Sequence, residues 1–173
     1  RRAGLAASVT GCEIDSAKAG EIEKLGLVDH VTTDAVAAVQ DADLVVMAVP
    51  VGAFGPLAAQ IVPAMKPGAV LTDTGSTKRS VLRDVDPHIS GDIHWIPSHP
   101  LAGTEHSGPA AGFAELFDGR YWLVLPREVP EDKVVRFESF VTGMGSVSER
   151  MDADYHDKVL ALTSHLPHLI AYT

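Results

Sequence analysis

Apolar runs rich in β-branched residues alternate along this chain with segments of helical periodicity, and this alternation constrains the fold more than any other feature. The run DLVVMAVP, residues 43–50, is almost continuously apolar and ends at a proline, as expected of a strand buried on both faces. Further strand-like runs lie at residues 8–14, 69–75, 93–100, 120–126 and 146–151, with helical segments between them, including a short one at 109–117. Residues 1–150 are therefore predicted to form a doubly wound α/β domain with a mostly parallel sheet.

The pattern changes at residues 151–173. Acidic residues occupy the first turn, and apolar residues recur at positions 159, 162, 166 and 169, which predicts one long amphipathic helix. We interpret this helix as the start of a helical second domain. It has no glycine or asparagine stop, and no G-x-G-x-x-G turn precedes the first predicted strand, so we expect the chain to be truncated at both ends.

Composition favours a small-molecule partner. The chain has 14 basic and 23 acidic residues and a net charge of −9, which disfavours nucleic acid and anionic membranes as partners. The sequence contains no run of about 18 apolar residues, which is the length needed to span a bilayer. The single cysteine, Cys12, has apolar neighbours and is predicted to be a buried thiol, and a chain with one cysteine fits a reducing, cytoplasmic setting.

Three loops rich in glycine and hydroxyl side chains leave successive predicted strands: AVPVGAF, TDTGSTK and SHPLAGTEHSG. In a doubly wound sheet the ligand binds outside the carboxyl ends of the strands, so these loops are predicted to share one site. Glu13 follows an earlier strand, where a carboxylate accepts hydrogen bonds from a dinucleotide ribose and favours NAD over NADP. Lys18 keeps NADP open, and a solvated loop carboxylate is the alternative interpretation of Glu13.

Four stretches resemble, in order and spacing, the prephenate/arogenate dehydrogenases of tyrosine biosynthesis: DADLVVMAVPV, LTDTGSTK, SHPLAGTEHSGPAAGFAELFDGRYWLVLP and DYHDKVLALTSHLPHLIAY. The pairing of HPLAGTEHSG with a later SHLPH is the specific part of the resemblance. It implies a Rossmann-like domain and NAD(P)-dependent oxidative decarboxylation of prephenate to 4-hydroxyphenylpyruvate, or of arogenate to tyrosine. It also implies a homodimer formed through the helical second domain.

The resemblance assigns His99 as the catalytic histidine. When hydride leaves the carbon that bears the substrate hydroxyl, the hydroxyl proton needs an acceptor, and a neutral imidazole suits that task. Ser76 resembles the serine that hydrogen-bonds the substrate hydroxyl or this histidine, and capping of the following helix is its alternative role. A histidine satisfied by packing is the alternative for His99.

The remaining assignments also come from the resemblance. Residues implied to contact the substrate are Thr104, His165 and His168, and those implied to lie along the cofactor are Val49, Pro50 and Thr74. The alternative for the cofactor residues is ordinary turn chemistry, and for the two histidines a place at the edge of the core. No metal is expected: at about 100° per residue, a helix does not bring His156, His165 and His168 to one face.

Two other functions stay open. A hydroxyacid dehydrogenase of the 6-phosphogluconate or hydroxyisobutyrate kind would need a lysine on the helix after residue 151, where only Lys158 occurs. A non-catalytic dinucleotide-binding sensor would have no need for His99 and Ser76 to converge on one point.

Overall fold

The computed structural model describes residues 3–104 and 106–171, which contain eight strands and seven α-helices. The strands are β1 Thr10–Cys12, β2 His30–Thr32, β3 Leu44–Met47, β4 Val70–Asp73, β5 His94–Trp95, β6 Ser98–Pro100, β7 Tyr121–Val124 and β8 Val147–Arg150. The helices are α1 Ser16–Leu25, α2 Ala35–Val39, α3 Phe54–Ile61, α4 Lys78–Val85, α5 Glu131–Gly143, α6 Ala153–Leu160 and α7 Leu166–Ala171. The predicted α/β alternation is confirmed as far as β5, and again from β7 onward. The single strand predicted at 93–100 is instead two strands, β5 and β6, and no α-helix separates β5, β6 and β7.

The strands form three hydrogen-bonded ladders that are mostly parallel, as predicted. Strands β1 and β2 pair in parallel, and β3, β4 and β5 form a second parallel ladder. In the third ladder β7 pairs in parallel with β8 but antiparallel with β6. Strand β2 was missing from the prediction because its three residues are too short for a periodicity to show.

Capping side chains fix where the first helices begin. Asp15 accepts hydrogen bonds from the backbone N–H groups of Ala17 and Lys18 at the start of α1, and Asp34 does the same for α2. Helix α1 ends at Gly26, whose φ of 61° lies in the left-handed region that favours glycine. These local signals therefore agree with the observed helix ends.

Two clusters of buried apolar side chains cover the two faces of β4. Leu71 belongs to the first cluster, which includes Phe54 of α3 and Val81 of α4, whereas Val70 packs against the second, which includes Phe137 of α5. Because successive side chains of a strand point to opposite faces, the helices of the two clusters lie on opposite sides of the sheet. The domain is thus doubly wound.

One helix prediction was wrong, and another is confirmed with an irregular segment inside it. In place of a helix over 109–117 there is a 3-10 turn, Pro109–Ala111, which stops because Gly112 adopts an extended conformation. The long C-terminal helix is interrupted by a π-helical segment, Ala161–His165, between α6 and α7. The segment lies just before Pro167, whose missing N–H and bulky ring disturb the preceding helical turn.

The structure also corrects the prediction for Cys12, which is exposed rather than buried. It lies at the end of strand β1, which pairs only with β2 among the described residues. Within residues 3–104 and 106–171, no helix is long and apolar enough to cross a membrane.

Candidate active site

The centre of the site is a contact between two histidines. His99 lies on β6 with 8% of its surface exposed, and His156 lies fully buried on α6. The Nδ1 atom of His99 is 2.9 Å from Nε2 of His156, within hydrogen-bonding distance. The other ring nitrogen of His99, Nε2, has no hydrogen-bond partner among the described residues.

The hydrogen-bond chain continues from His156 to the next residue on α6. Nδ1 of His156 is 2.7 Å from Oδ1 of Asp157. The same oxygen accepts from the backbone N–H of Lys78 at 2.8 Å, and Oδ2 accepts from the backbone N–H of Arg79 at 3.0 Å. Asp157 therefore caps α4 from a neighbouring helix, in place of Thr77, whose own side chain makes no capping bond.

A buried ion pair holds β6 beside the end of β4. The ammonium group of Lys78 donates to Oδ2 of Asp73 at 2.5 Å and also to the carbonyl oxygen of Ser98, and the Lys78 and Asp73 side chains are fully buried. The other carboxylate oxygen of Asp73 accepts from the backbone N–H of Ser98 at 3.0 Å. Because Ser98 directly precedes His99, these bonds fix the backbone that carries the histidine.

Burial keeps both histidines neutral at physiological pH. Burial lowers the pKa of His99 from 6.5 to about 3, and the nearby His156 and Lys78 lower it further. Burial also lowers the pKa of His156, against the opposing effect of the Asp157 carboxylate. A neutral imidazole has one ring nitrogen with a free lone pair, and that nitrogen can accept a proton.

The loops after β3 and β4 meet at one edge of the sheet, as predicted. The backbone N–H of Thr74 donates to the carbonyl oxygen of Met47 at 3.1 Å. Thr74 is half-buried, Val49 packs against the first core cluster, and Pro50 is exposed at the start of a short 3-10 turn. Both loops present surface at the carboxyl ends of parallel strands, where ligands of this architecture bind.

Ser76 makes no hydrogen bond to His99 in this structure. It is exposed in the loop between β4 and α4, and its hydroxyl makes no hydrogen bond within the described part of the chain. The Nδ1 atom of His99 is instead occupied by His156. A role for Ser76 toward a bound substrate stays a prediction.

The residues assigned to the substrate are spread over two segments. Thr104 is exposed, and its hydroxyl donates to the carbonyl oxygen of His106 at 3.1 Å. His165 is exposed at the end of the π-helical segment and contributes electrostatically to the lowered pKa of His99. The backbone of His168 belongs to α7, but its side chain lies outside the described part of the structure.

Glu13 stands directly after β1, where the sequence predicts the carboxylate that meets a ribose. It is half-buried, its backbone N–H donates to Thr32, and its Oε1 accepts from the backbone N–H of Asp15 at 3.0 Å. Lys18, the residue that keeps NADP open, is exposed on α1. The loop is therefore ordered around a carboxylate that remains partly accessible.

Sequence reasoning missed the groups that support His99: Asp73, Lys78, His156 and Asp157. The predicted strand 69–75 contains an aspartate with a lysine five residues later, and a histidine–aspartate pair lies near the start of the last predicted helix. Both signals were available but have common structural explanations. Among the described residues, no group of three or more His, Cys, Asp or Glu side chains is placed to hold a metal ion.

Comparisons with known proteins point to one family. Residues 1–150 match the family described as prephenate dehydrogenase, nucleotide-binding domain. The chain is 46% identical over 149 residues to a cyclohexadienyl dehydrogenase of Zymomonas mobilis, covering 86% of this chain and 50% of that protein.

Solved structures give the same result. A prephenate dehydrogenase of Aquifex aeolicus, crystallised with hydroxyphenyl propionate and NAD+, superposes with a TM-score of 0.90 at 28% identity, covering 99% of this chain and 60% of that one. An arogenate dehydrogenase of Synechocystis superposes with a TM-score of 0.84 at 25% identity, covering 92% of this chain and 56% of that one. The chain therefore spans about half the length of the relatives it matches.

Proposed function

The chain belongs to the prephenate dehydrogenase family, and from that premise we propose that it carries the nicotinamide-binding and proton-accepting part of an NAD-dependent enzyme that oxidatively decarboxylates prephenate or arogenate. One observation carries the proposal. His99 is buried and neutral beside the carboxyl end of β4, one ring nitrogen bonds to His156, and the other has no partner among the described residues.

The reaction needs such a group. Loss of hydride from the carbon that bears the hydroxyl gives that oxygen carbonyl character, so its proton must move to a base while the opposite carbon loses CO2. Nε2 of His99 accepts that proton, and the ring becomes aromatic in the products 4-hydroxyphenylpyruvate or tyrosine. The low dielectric around His99 keeps the imidazole unprotonated before substrate binds.

The residues at the strand ends fit a dinucleotide. The partly accessible carboxylate of Glu13 can accept hydrogen bonds from ribose hydroxyls, and Val49, Pro50 and Thr74 line the edge where β3 and β4 end. NAD, when bound, accepts the hydride. We propose NAD as the preferred cofactor because the Glu13 carboxylate would repel a 2′-phosphate, with NADP as the alternative through Lys18.

The substrate side of the site is proposed to come from both parts of the chain. Thr104 and Ser76 offer exposed hydroxyls, and His165 and His168 lie on the segment that follows the nucleotide-binding domain. Residues 1–150 form that domain and 151–173 begin a helical one. Exposed apolar side chains on the last helices support burial against further chain or a second subunit in a homodimer: Leu162, Leu166, Leu169 and Ile170.

The test is turnover by the intact protein with prephenate and with arogenate, each with NAD and NADP, followed by absorbance of the reduced nicotinamide. We expect reduction of NAD with at least one of the two substrates and its loss in His99→Asn. Lys158→Ala is the control, since Lys158 is exposed on α6 and lies outside the proposed machinery. Turnover of a hydroxyacid that depends on Lys158, or NAD binding without turnover of either substrate, would contradict the proposal.

A further inference from the structure

Three side chains, Asp157, His156 and His99, form one continuous hydrogen-bond chain that ends at the proposed base. The contacts are 2.7 Å from Asp157 Oδ1 to His156 Nδ1 and 2.9 Å from His156 Nε2 to His99 Nδ1. The chain links α6, which follows the nucleotide-binding domain, to β6 inside it.

The positions of the protons follow from the chemistry of the end group. An ionised carboxylate can only accept, so the proton between Asp157 and His156 sits on Nδ1 of His156. A neutral imidazole has one N–H, so Nε2 of His156 carries a lone pair and accepts from Nδ1–H of His99. His99 therefore has its own lone pair on Nε2, the nitrogen without a partner among the described residues.

The two supporting members of this chain, Asp157 and His156, are held in place. Asp157 accepts two backbone N–H groups from the start of α4, which fixes the orientation of its carboxylate and favours its ionised form. His156 is fully buried, so its ring has little room to turn. The opposite arrangement would place the lone pair of His156 Nδ1 against a carboxylate oxygen at 2.7 Å, which is repulsive.

We propose that His156 is a positioning residue, which with Asp157 holds His99 in the tautomer whose Nε2 accepts the substrate's hydroxyl proton. The inference rests on the proposed function for the identity of that proton, but the tautomer itself is a property of the unliganded protein. His156 and Asp157 reach His99 only when α6 packs against α4. The segment after residue 150 therefore contributes to proton transfer as well as to substrate binding.

The kinetic test compares two substitutions of one residue. His156→Leu removes the acceptor for His99 Nδ1–H, so a fraction of His99 shifts to the unproductive tautomer and kcat should fall about 10²-fold or more, with little change in KM for NAD. His156→Gln keeps an oxygen that can accept from His99, and we expect it to recover at least about tenfold of that loss. Tyr155→Phe, at an exposed position on the same helix, is the matched control.

The spectroscopic test needs no substrate. Long-range proton–nitrogen correlation spectra of the intact, ¹⁵N-histidine-labelled protein should show His99 with a proton on Nδ1 and none on Nε2, and His156 with a proton on Nδ1. A proton on Nε2 of His99 in the wild type would overturn the proposal. This test does not depend on whether His156→Leu folds. So would a folded His156→Leu protein with wild-type kcat.

The two proposals fail separately. If the wild type turns over neither prephenate nor arogenate but shows the expected tautomer, the function is wrong and the hydrogen-bond chain stands. If it turns over prephenate with the opposite tautomer, the function stands and the positioning role of His156 is refuted.

Discussion

Lys78 and Asp73 form an ion pair in which both side chains are fully buried, with 2.5 Å between Nζ and Oδ2. The pair joins the end of β4 to the start of α4 and, through Ser98, to β6. Such a pair positions elements well, but either partner alone is a buried, uncompensated charge. The strand that carries His99 is therefore held by a contact whose loss is costly.

Lys78→Met should destabilise the protein by about 3–5 kcal/mol, because Asp73 loses its counter-ion inside the core. Urea unfolding measures the change. Lys66→Met is the matched control, since Lys66 pairs with Asp43 at 2.6 Å but 38% of the lysine side chain and 83% of the aspartate side chain are exposed, and the expected loss is about 0–1 kcal/mol. Equal losses in the two variants would show that burying the Lys78–Asp73 pair does not increase the free energy lost when the pair is broken.

His99→Asn should lower kcat by about 10²–10⁴-fold and leave KM for the substrate nearly unchanged. Asparagine is similar in size and keeps an N–H that can donate to His156, but it has no basic nitrogen. Steady-state kinetics of the intact protein measure both constants. A variant within a few-fold of the wild-type kcat would mean that another group accepts the proton.

The pH dependence of stability should change in the same variant. The folded state holds the pKa of His99 near 3, below its ordinary 6.5, so the unfolded chain binds more protons between those values and stability falls as pH drops through that window. In His99→Asn the loss of stability between about pH 7 and about pH 5 should be smaller than in the wild type. Thermal melting at the two pH values tests this, and identical slopes would contradict it.

The cofactor preference should depend on Glu13. In the intact protein kcat/KM should be higher with NAD than with NADP, and Glu13→Gln should narrow that ratio because the repulsion of a 2′-phosphate is lost. Glu23→Gln removes the same charge from an exposed position on α1 and should leave the ratio unchanged. A wild-type preference for NADP would refute the role assigned to Glu13.

Gly75→Ala, in the β4–α4 loop, should lower the free energy of unfolding of the protein by about 1–3 kcal/mol. An added Cβ would lie 2.8 Å from Asp73 Oδ2 and from Phe54, and 2.9 Å from Val81, all of them buried neighbours. Gly20→Ala, on α1, should be neutral or stabilising, since the new Cβ meets nothing within 4 Å beyond its chain neighbours and the backbone of its own helix. The comparison is made by urea unfolding, and a neutral Gly75→Ala would show that the loop can relax.

The sequence by itself determined the features that depend on neighbours along the chain. Continuous apolar runs such as 43–50 predicted the strands, but the expected burial of that strand on both faces was wrong, since Val46 of β3 is 43% exposed. The position of His99 at the end of another such run predicted a histidine at the ligand-binding edge. Both follow from short-range periodicity and from the rule that parallel strands end at the same edge. The resemblance to a known family added the proposed substrate and the role of His99.

Only the tertiary structure decided which groups surround His99. His156 lies 57 residues away, and its contact with His99 depends on how α6 packs against α4, which no local pattern encodes. The same holds for the antiparallel pairing of β6 and for the buried partnership of Lys78 with Ser98. These side chains are of types usually found at the surface, and they form a connected, desolvated site because distant elements pack together. Removal from water strengthens the interactions between their charges and shifts the pKa values of the histidines.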